Sequence, residues 1–537
     1  MRPRTSMAAF ITALGTVGVL AAATAGTGSA ALAASPNSNK VKPGDLLVSG
    51  TMYQDPGIVA GQTQLPPGCT ADCAIAIADG EYPQVFNNGS VDGSFGITSK
   101  IFLDEITPDG RANGRIMVNP NAMVTSFSSK SELALNLSPD GKYVTLMGYV
   151  AAPGTVDVSN ANTPGEIDPE NPIANAYYRA VGQLDADGNL SVTETNAYTG
   201  DNGRAAIAAD VHGEEFIYAA GNASSVESPQ LPGTILGAGA QLITPSAAPT
   251  ADQSPGTPAP VGSFNVTLLG DKQDKIGKDD NFRGITIHNN VLYYTKGSGS
   301  NGVNTVYFVD TTGTACPRGV GLPVPGAPLP TSPLSYNPAT LQTSGLPSNM
   351  CVLKGFPTAL AKTTTDASDY PFGMWFANDY TLYIADEGSG DNAYHNGSYT
   401  AAAASGTAGL QKWVFDSGTG RWKLAYTLQN GLDLGQPYTI GGYPAGINDA
   451  TGLPWSPATD GLRTLTGTVN QDGTVSVWAV TSTVSGGGDQ GADPNKLVEI
   501  TDDLSATSLP AGESFQTVRT AVFGELYRGV SFTPGTA

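Results

Sequence analysis

Charged residues and histidine are scarce in this chain of 537 residues. Charged side chains make up only 14% of the sequence, with 26 Lys and Arg residues, 47 Asp and Glu residues and three histidines. So few charges leave little scope for long exposed helices. The net charge of −21 repels nucleic acid and anionic lipid headgroups. We therefore expect no nucleic-acid partner.

Several catalytic signatures are missing as well. The sequence contains no G-x-S-x-G, no Walker loop, no dinucleotide fingerprint and no H-E-x-x-H. Serine hydrolase, nucleotide-dependent and zinc-protease chemistries therefore have no local support, and we expect no cofactor.

Long apolar runs are limited to the N-terminus. Arg2 and Arg4 precede an apolar stretch from about Met7 to Ala25, and Ala31-Leu32-Ala33 follows. A basic start, an apolar middle and an A-x-A site are typical of a secretory signal peptide. We predict a signal peptide over 1–33, a flexible mature N-terminus over 34–45 and a secreted, extracellular protein. No later stretch is long enough to span a bilayer.

Cysteine is rare, and its number is even. The four residues are Cys69, Cys73, Cys316 and Cys351. In an oxidising compartment this favours disulfides, and the simplest of three connectivities pairs neighbours along the chain. The alternative is a zinc site, but C-x3-C with three scattered histidines lacks the usual ligand spacing. We predict no metal site at these cysteines.

Glycine and proline are abundant, with 67 and 38 residues, and one hairpin pattern recurs. Each copy is a short apolar run, a tight turn and a second apolar run, as in "RGITIHNNVLYYTKGS" and "FGMWFANDYTLYIADEG". The copies cover Leu133 to Val150, Arg204 to Gly221, Arg283 to Ser298, Phe372 to Gly388 and Arg463 to Ser482. A repeat of this length predicts a β-propeller with four-stranded blades.

The repeat predicts six blades in one domain over 46–537. A sixth copy begins near Arg528, where only nine residues remain. The segments "DLLVSGTMY", "KIFLDEITPDG" and "GRIMVN" supply the missing strands, so the two ends of the chain close the ring and leave no exposed edge strand. We expect a monomer.

Arginine recurs where four of the innermost strands begin. These residues are Arg204, Arg283, Arg463 and Arg528, and each follows closely on a carboxylate, namely Asp201, Asp280, Asp460 or Glu525. One interpretation is a set of ion pairs that tie neighbouring blades together. The other is an anionic or polyhydroxyl ligand held by arginines, with Asp280, Asp460 or Glu525 as acid or base.

The fourth blade breaks this pattern. It begins with Tyr370-Pro371-Phe372 and carries Trp375, so that aromatic residues stand where other blades have arginine. Aromatic faces beside carboxylates suit a carbohydrate. The alternative is that Phe372 and Trp375 are buried in the hydrophobic core between blades.

Other residues are candidates for catalysis or metal binding. Asp386, Glu387 and Asp391 end a strand ahead of His395, and such a group could hold calcium, do acid–base work or simply be solvated. For a polysaccharide lyase, Tyr527 beside Arg528 and His288 in the strand begun by Arg283 are candidate bases, although a buried His288 is the simpler alternative.

The segment "LYIADEGSG…GLQKWVFD" resembles the blade of NHL and SMP-30 type six-bladed propellers. Over most of its length the chain also resembles secreted bacterial propeller proteins without an assigned activity, in which "FLDE-TP-G", "LS-DG-Y-TL-GY-AAPGT" and "YRGV-FTP" recur, here at Phe102 to Gly110, Leu137 to Thr155 and Tyr527 to Pro534. These resemblances imply the fold and export. The metal ligands of SMP-30 type lactonases have no counterparts, so that activity is not implied.

Together these features predict an extracellular carbohydrate-binding or carbohydrate-active protein with its ligand at the channel mouth. If it is an enzyme, we expect a polysaccharide-cleaving hydrolase or lyase acting on a polysaccharide or small glycan. The alternative is a non-catalytic scaffold that binds another protein.

Overall fold

The structure is a computed structural model of the chain. It describes residues 40–53, 59, 61–65, 74–75, 97–127, 132–165, 175–222, 239–245, 282–297, 302–332, 349–361, 369–449, 451–487, 491 and 493–536. The predicted signal peptide lies outside the described residues, as do Cys69, Cys73 and Asp280 and most of the long insertions. In the described part of the chain, no helix combines the length and the apolar character needed to cross a membrane.

Strands dominate the described residues. The first ten are β1 (Leu46–Met52), β2 (Gln64–Leu65), β3 (Ala74–Ile75), β4 (Thr98–Ile106), β5 (Ala112–Met117), β6 (Thr125–Ser126), β7 (Asn136–Leu137), β8 (Tyr143–Tyr149), β9 (Arg179–Asp185) and β10 (Leu190–Thr195). The next ten are β11 (Gly203–Val211), β12 (Glu214–Gly221), β13 (Gly239–Ile243), β14 (Phe282–His288), β15 (Val291–Lys296), β16 (Thr305–Val309), β17 (Val320–Gly321), β18 (Met350–Leu353), β19 (Pro371–Asn378) and β20 (Thr381–Asp386).

The remaining strands belong to the last three repeats. They are β21 (Tyr394–His395), β22 (Ser398–Tyr399), β23 (Gly409–Asp416), β24 (Arg421–Leu428), β25 (Ile447–Asn448), β26 (Leu453–Pro454), β27 (Ala458–Val469), β28 (Thr474–Val484), β29 (Lys496–Asp503), β30 (Gln516–Thr520) and β31 (Glu525–Phe532). Within the described ranges, regular helix is limited to one α-helical turn, Thr400–Ala404, and one 3-10 turn, Val158–Asn160.

These strands form a six-bladed β-propeller. From the channel outward, the described strands of blades 1 to 6 are β7-β8-β9-β10, β11-β12-β13, β14-β15-β16-β18, β19-β20-β23-β24, β27-β28-β29-β30 and β31-β1-β4-β5. The innermost strands contact one another in the order β7, β11, β14, β19, β27, β31 and back to β7. The prediction of six blades is confirmed.

The ring closes as predicted, with one C-terminal strand and three N-terminal strands in blade 6. Strand β31 pairs antiparallel with β1, from Leu46 opposite Phe532 to Met52 opposite Glu525. Strands β4 and β5 complete the sheet. The ladder joins the two chain ends within one sheet, but the outermost strands β5, β10, β24 and β30 remain sheet edges, so the expectation of no exposed edge strand is wrong.

The first hairpin starts later than its sequence predicts. The inner strand expected from Leu133 begins at Asn136, because Leu133 adopts a left-handed backbone with φ 68°. The carbonyl of Leu133 instead accepts a hydrogen bond from Ser49 Oγ of blade 6 at 2.6 Å. The irregular residue therefore contributes to the contact between blades 6 and 1.

The antiparallel order gives the two ends of the channel different loops. On the entry face, where the innermost strands begin, lie the described connecting segments 150–165, 175–178, 387–408, 429–449 and 451–457. On the opposite hairpin face, inner strands turn tightly into second strands at 138–142, 212–213, 289–290, 379–380 and 470–473. The described loops at the end of the channel where the arginines occur are therefore longer than the turns of the inner strands at the other end.

The hairpin face also carries the stapled loop. Cys316 and Cys351 form a disulfide with their Cα atoms 5.8 Å apart, which ties the 310–349 connection of blade 3 to β18. This is the pairing that the sequence favours. The bridge lies on the opposite face from the arginines.

The core lies between blades, and it includes a buried charge pair. Lys412 on β23 and Asp502 on β29 are both fully buried, and Lys412 Nζ donates to Asp502 Oδ2 at 2.9 Å. Tyr426 donates its hydroxyl to the other oxygen of Asp502 at 2.7 Å, and Tyr383 also donates to this carboxylate. This network joins blades 4 and 5.

Candidate functional site

The predicted arginines lie at the entry ends of neighbouring inner strands. Arg204 and Arg283 are the second residues of β11 and β14, and Arg463 lies within β27. Ring closure brings these strands side by side, although 259 residues separate Arg204 from Arg463 (463 minus 204). The side chains therefore meet around one mouth.

Glycines at the next position allow the strands to approach closely. A Cβ placed on Gly284 would lie 2.2 Å from the carbonyl oxygen of Phe372, and one on Gly373 would lie 2.7 Å from that of Arg463. Any larger residue would push neighbouring blades apart, because real Cβ contacts are not that short. The R-G and F-G pairs thus set the width of the mouth.

Glu387 joins two of the arginines. It follows β20, and its Oε2 accepts a hydrogen bond from Arg463 Nε at 3.1 Å while its Oε1 lies 3.5 Å from Arg283 Nη2. The Phe372 ring lies 5.7 Å from the Arg283 guanidinium and 5.8 Å from that of Arg463. Blades 3, 4 and 5 are therefore linked at the mouth through one carboxylate and one aromatic face.

Positive charge is concentrated at this point. Burial, together with repulsion from Arg204 and Arg463 and against the attraction of Glu387, lowers the pKa of Arg283 to about 9. Arg204 is itself buried and donates to the carbonyl of Phe282 at 3.3 Å. A second anion placed here would relieve the repulsion between the guanidinium groups.

Two buried carboxyl groups border the arginines. Asp386, the last residue of β20, accepts hydrogen bonds from the backbone N–H of Tyr370 at 2.8 Å and of Gly388 at 3.0 Å. Asp460 accepts from the backbone N–H of Gly390 at 2.7 Å, and its other oxygen has no partner within the described residues. Burial raises the pKa of each carboxyl to about 7.

The Asp386 and Asp460 loops fit closely against each other. Gly388 has φ +80°, and a Cβ there would lie 2.5 Å from Cγ of Asp460. A Cβ on Gly461 would lie 2.3 Å from the carbonyl oxygen of Asp386. The half-buried Tyr370 lies beside both acids, and burial followed by their charges raises its pKa. The two acids are thus held in one rigid turn cluster.

Among the described residues, Asp201 and Glu525 bind other partners than the arginine that follows them, while Asp280 lies outside the described residues. Glu525 binds Arg115 Nη1 at 2.6 Å, and Asp201 accepts from Asn222 Nδ2 at 2.6 Å. Each acid stands three residues before its arginine, and residues an odd number apart in a strand point to opposite faces. Among these residues, the carboxylate that bridges arginines is Glu387, which comes from another blade.

Arg528 has a different environment from the other three arginines. Its guanidinium donates to the carbonyl oxygens of Phe127 at 2.7 Å and Ser126 at 3.3 Å. These contacts bind blade 6 to the segment that enters blade 1. Both of these acceptors are neutral backbone carbonyls, whereas one interpretation of the arginine pattern expected an ion pair.

Three other predicted site residues lie away from the arginine cluster. Tyr527 packs edge-on against Phe102 in the core of blade 6, with ring centres 6.4 Å apart. His288 ends β14, five residues beyond Arg283, where it stacks on Phe376 at 4.4 Å and contacts Asp379 at 3.0 Å. Trp375 lies partway along β19 and lines the channel. The structure therefore brings neither candidate base to the mouth.

The acids proposed for calcium are also separated by the structure. Glu387 faces the arginines, whereas Asp391 Oδ1 accepts from the N–H of Ala393 at 2.9 Å and His395 is exposed in the β21-β22 hairpin. Within the described part of the chain, one group of acid and cysteine side chains lies close enough together to bind a single metal ion. This group is Asp310, Cys316 and Cys351. There the sulfurs are used in the disulfide, so this group does not fit a thiolate metal site.

Sequence reasoning underrated Glu387 and Asp386. Both stand at the end of a strand, where the sequence pattern left calcium binding, acid–base work and a solvated turn as alternatives. The usable signal is their position: β20 returns to the entry face, so residues at its end must lie beside the residues that begin the inner strands.

No protein-family model and no curated protein matches this sequence. Solved structures with a detectable likeness include a glucose dehydrogenase, 12% identical over 74% of this chain and 91% of that one, with a TM-score of 0.33. A PL25 ulvan lyase bound to a glycan is 11% identical over 92% and 97%, with a TM-score of 0.30. The parainfluenza virus 5 hemagglutinin-neuraminidase ectodomain is 11% identical over 83% and 78%, with a TM-score of 0.30. At these scores, inferences about ligand and activity rest on the geometry of the site itself.

Proposed function

We propose that this protein is an extracellular carbohydrate-binding or carbohydrate-active propeller that binds an acidic glycan at its entry face. The observation that carries the proposal is the convergence of Arg204, Arg283 and Arg463, from three different blades, beside the single bridging carboxylate of Glu387. In a chain of net charge −21, such a cluster is a specific local feature and not a general property of the surface.

An anionic sugar matches this arrangement. The planar guanidinium fork binds carboxylates and sulfates in a bidentate manner, and Arg463 keeps 22% of its side chain exposed for such a contact. Burial is the main cause of the lowered pKa of Arg283, and repulsion from Arg204 and Arg463 adds to it, so a further negative charge would be favourable here. A uronate carboxylate would supply that charge.

The entry-face loops provide the remaining surface of the site. Several long described connections lie at this end of the channel, and binding residues are disproportionately found on loops that a rigid scaffold positions. By contrast, the turns between inner and second strands on the hairpin face are too short to enclose a polysaccharide.

The same site holds groups suited to cleaving a glycosidic bond. Asp460 is 2% exposed, has a pKa raised to about 7 and keeps one carboxyl oxygen without a partner in the described chain. A carboxyl that is protonated near neutral pH can donate its proton to a leaving oxygen. In a cleavage reaction we assign the acid role to Asp460 and charge neutralisation of the uronate to Arg283 and Arg463.

The decisive experiment measures binding and reducing-end release with a panel of neutral and uronate-containing polysaccharides, each with calcium and with chelator. We expect binding of uronate chains by the wild-type protein and its loss in the Arg283→Ala/Arg463→Ala double variant. Arg318→Ala is the matched control, because Arg318 is an exposed arginine of the stapled loop on the opposite face.

Uronate binding that survives the double substitution, with folding intact, would refute the mouth as the site. Reducing ends released by the wild type but not by Asp460→Asn would establish cleavage. Absence of any glycan response, together with one stoichiometric protein partner, would favour the non-catalytic scaffold instead.

Export is part of this proposal and has a separate test. The basic start, apolar stretch and A-x-A sequence support cleavage after Ala33. N-terminal sequencing of the protein recovered outside an expressing bacterium should therefore begin at Ala34.

A further inference from the structure

One residue from each inner strand forms a ring within the channel. Each lies three positions after the first residue of the repeat to which it belongs. The members of this channel ring are Asn136, Ile207, Thr286, Trp375, Thr466 and Ser531. All six line a cavity of about 820 Å³ that is bordered by residues of the hairpin face.

We propose that the channel ring is a second binding site, for a neutral saccharide, separate from the arginine cluster. Four of its six members carry an uncharged hydroxyl or amide, one is an indole and one is aliphatic. The cavity volume lies within the roughly 300 to 1,000 Å³ that is typical of small-molecule sites. A disaccharide fits such a space.

The ring presents hydrogen-bonding groups to the cavity. The hydroxyls of Thr286 and Thr466 and the indole N–H of Trp375 make no hydrogen bond with other described residues, although all three side chains line the cavity. These strands lie next to one another in blades 3, 4 and 5. The indole N–H of Trp375, which is a donor, therefore lies between the hydroxyls of Thr286 and Thr466, each of which can donate or accept.

Trp375 is held in a defined orientation. A Cβ on Gly467 would lie 2.7 Å from the Trp375 ring, so the glycine creates the space in which the indole packs against β27. Tyr383 stacks on the indole with ring centres 5.8 Å apart. Because the indole is already immobilised, it loses little conformational entropy when a ligand binds.

The charge distribution selects a neutral ligand. The cavity lining contains no Lys or Arg among the described residues, and its acids, Asp109 and Glu499, belong to a turn and an outer strand and not to the channel ring. His288, at the end of β14, is already bound to Asp379. Uncharged hydroxyls cannot repay the desolvation of a buried ion, whereas they match sugar hydroxyls.

The test is calorimetric titration of the full mature chain with cellobiose and with maltose. We expect saturable binding of at least one disaccharide. Thr286→Val/Thr466→Val should weaken it by roughly tenfold, because each lost hydrogen bond contributes about 0.5 to 1.5 kcal/mol. Trp375→Phe, which keeps an aromatic ring but removes the N–H, should weaken it independently.

Matched variants separate this site from the arginine cluster. Thr507→Val changes an exposed threonine of blade 5 and should leave disaccharide binding unchanged. Arg283→Ala/Arg463→Ala should abolish uronate binding but retain disaccharide binding. No heat signal with either disaccharide at millimolar concentration would overturn the proposal, as would full affinity in both the double threonine variant and Trp375→Phe.

Discussion

Glu387 and Arg463 connect two blades that are adjacent in the ring but distant in sequence, through a hydrogen bond of 3.1 Å between Oε2 and Nε. Glu387 Oε1 at the same time faces Arg283 at 3.5 Å, so one carboxylate serves two arginines. The charges of these two arginines are therefore both balanced in part by Glu387.

Replacing Glu387 with Gln should lower stability and strengthen anion binding. The substitution leaves Arg283 and Arg463 partly buried without their shared counter-charge, which we expect to cost about 1 to 3 kcal/mol in the free energy of unfolding by urea. Added uronate oligosaccharide should then raise the melting temperature more in E387Q than in the wild type. An equal or smaller ligand-induced rise in E387Q would contradict an anion site at the mouth.

Stability should fall as pH rises through the acidic range, in part because of Asp460. Burial raises its pKa to about 7, whereas an unfolded Asp has a pKa of about 3.9. Between these values the folded state binds a proton that the unfolded state does not, so the free energy of unfolding decreases as pH rises from about 4 to about 7 and then levels off. Asp386 contributes in the same direction.

Asp460→Asn should flatten this pH profile and be more stable than the wild type at pH 8, by an amount on the order of a few kcal/mol at most. Urea unfolding at several pH values measures it. Asp187→Asn is the control, because the Asp187 side chain is 72% exposed. A profile as steep in D460N as in the wild type would show that Asp460 is already ionised in the folded protein.

Gly388→Ala should disrupt the two-acid turn cluster. The new Cβ would lie 2.5 Å from Cγ of Asp460 and would also require a left-handed backbone at φ +80°. Gly397→Ala isolates the backbone effect, because Gly397 has φ +89° with nothing within 4 Å of its Cβ position. That control should lose about 1 kcal/mol.

We expect G388A to lose clearly more stability than G397A in thermal unfolding, and to weaken uronate binding as well. Equal losses in the two variants would mean that the contact with Asp460 is relieved without consequence.

Lys412→Met should be strongly destabilising. Lys412 and Asp502 are both fully buried, and removing one partner of such a pair leaves an uncompensated charge, which costs about 3 to 5 kcal/mol. K412M/D502N, which removes both charges, should recover part of the loss in urea unfolding. Lys423→Met, in a pair whose lysine is 54% exposed, should cause no measurable change. If K412M behaves like K423M, the buried network does not hold blades 4 and 5 together.

The arginine pattern predicted which residues come near the mouth but not which acid pairs with them. The repeat predicted that Arg204, Arg283, Arg463 and Arg528 converge at the mouth, since equivalent positions in a closed ring share one level of the channel. In the structure, Arg528 instead donates to backbone carbonyls. The repeat did not show which acid would face the arginines. Asp201 and Glu525 bind other partners, and the bridging acid follows the second strand of another blade.

The position of Trp375 is a second feature that the sequence pattern did not predict. The sequence grouped it with Phe372 as an aromatic at the blade entry. The structure separates them, with Phe372 beneath the arginines and Trp375 deeper in the channel. Three residues along a strand amount to about 10 Å, which is enough to change the environment from a cationic mouth to a neutral cavity.

By itself, the sequence determined the number of blades and the closure of the ring by both chain ends, because each depends on local strand and turn patterns or on counting a repeat. It favoured the pairing of Cys316 with Cys351 only as the simplest of three connectivities. Only the tertiary structure decided that Glu387 faces two arginines, that Tyr527 lies in the core and that a neutral ring lies below the mouth. Those facts depend on contacts between blades, and side chains from different repeats meet only when the ring has closed.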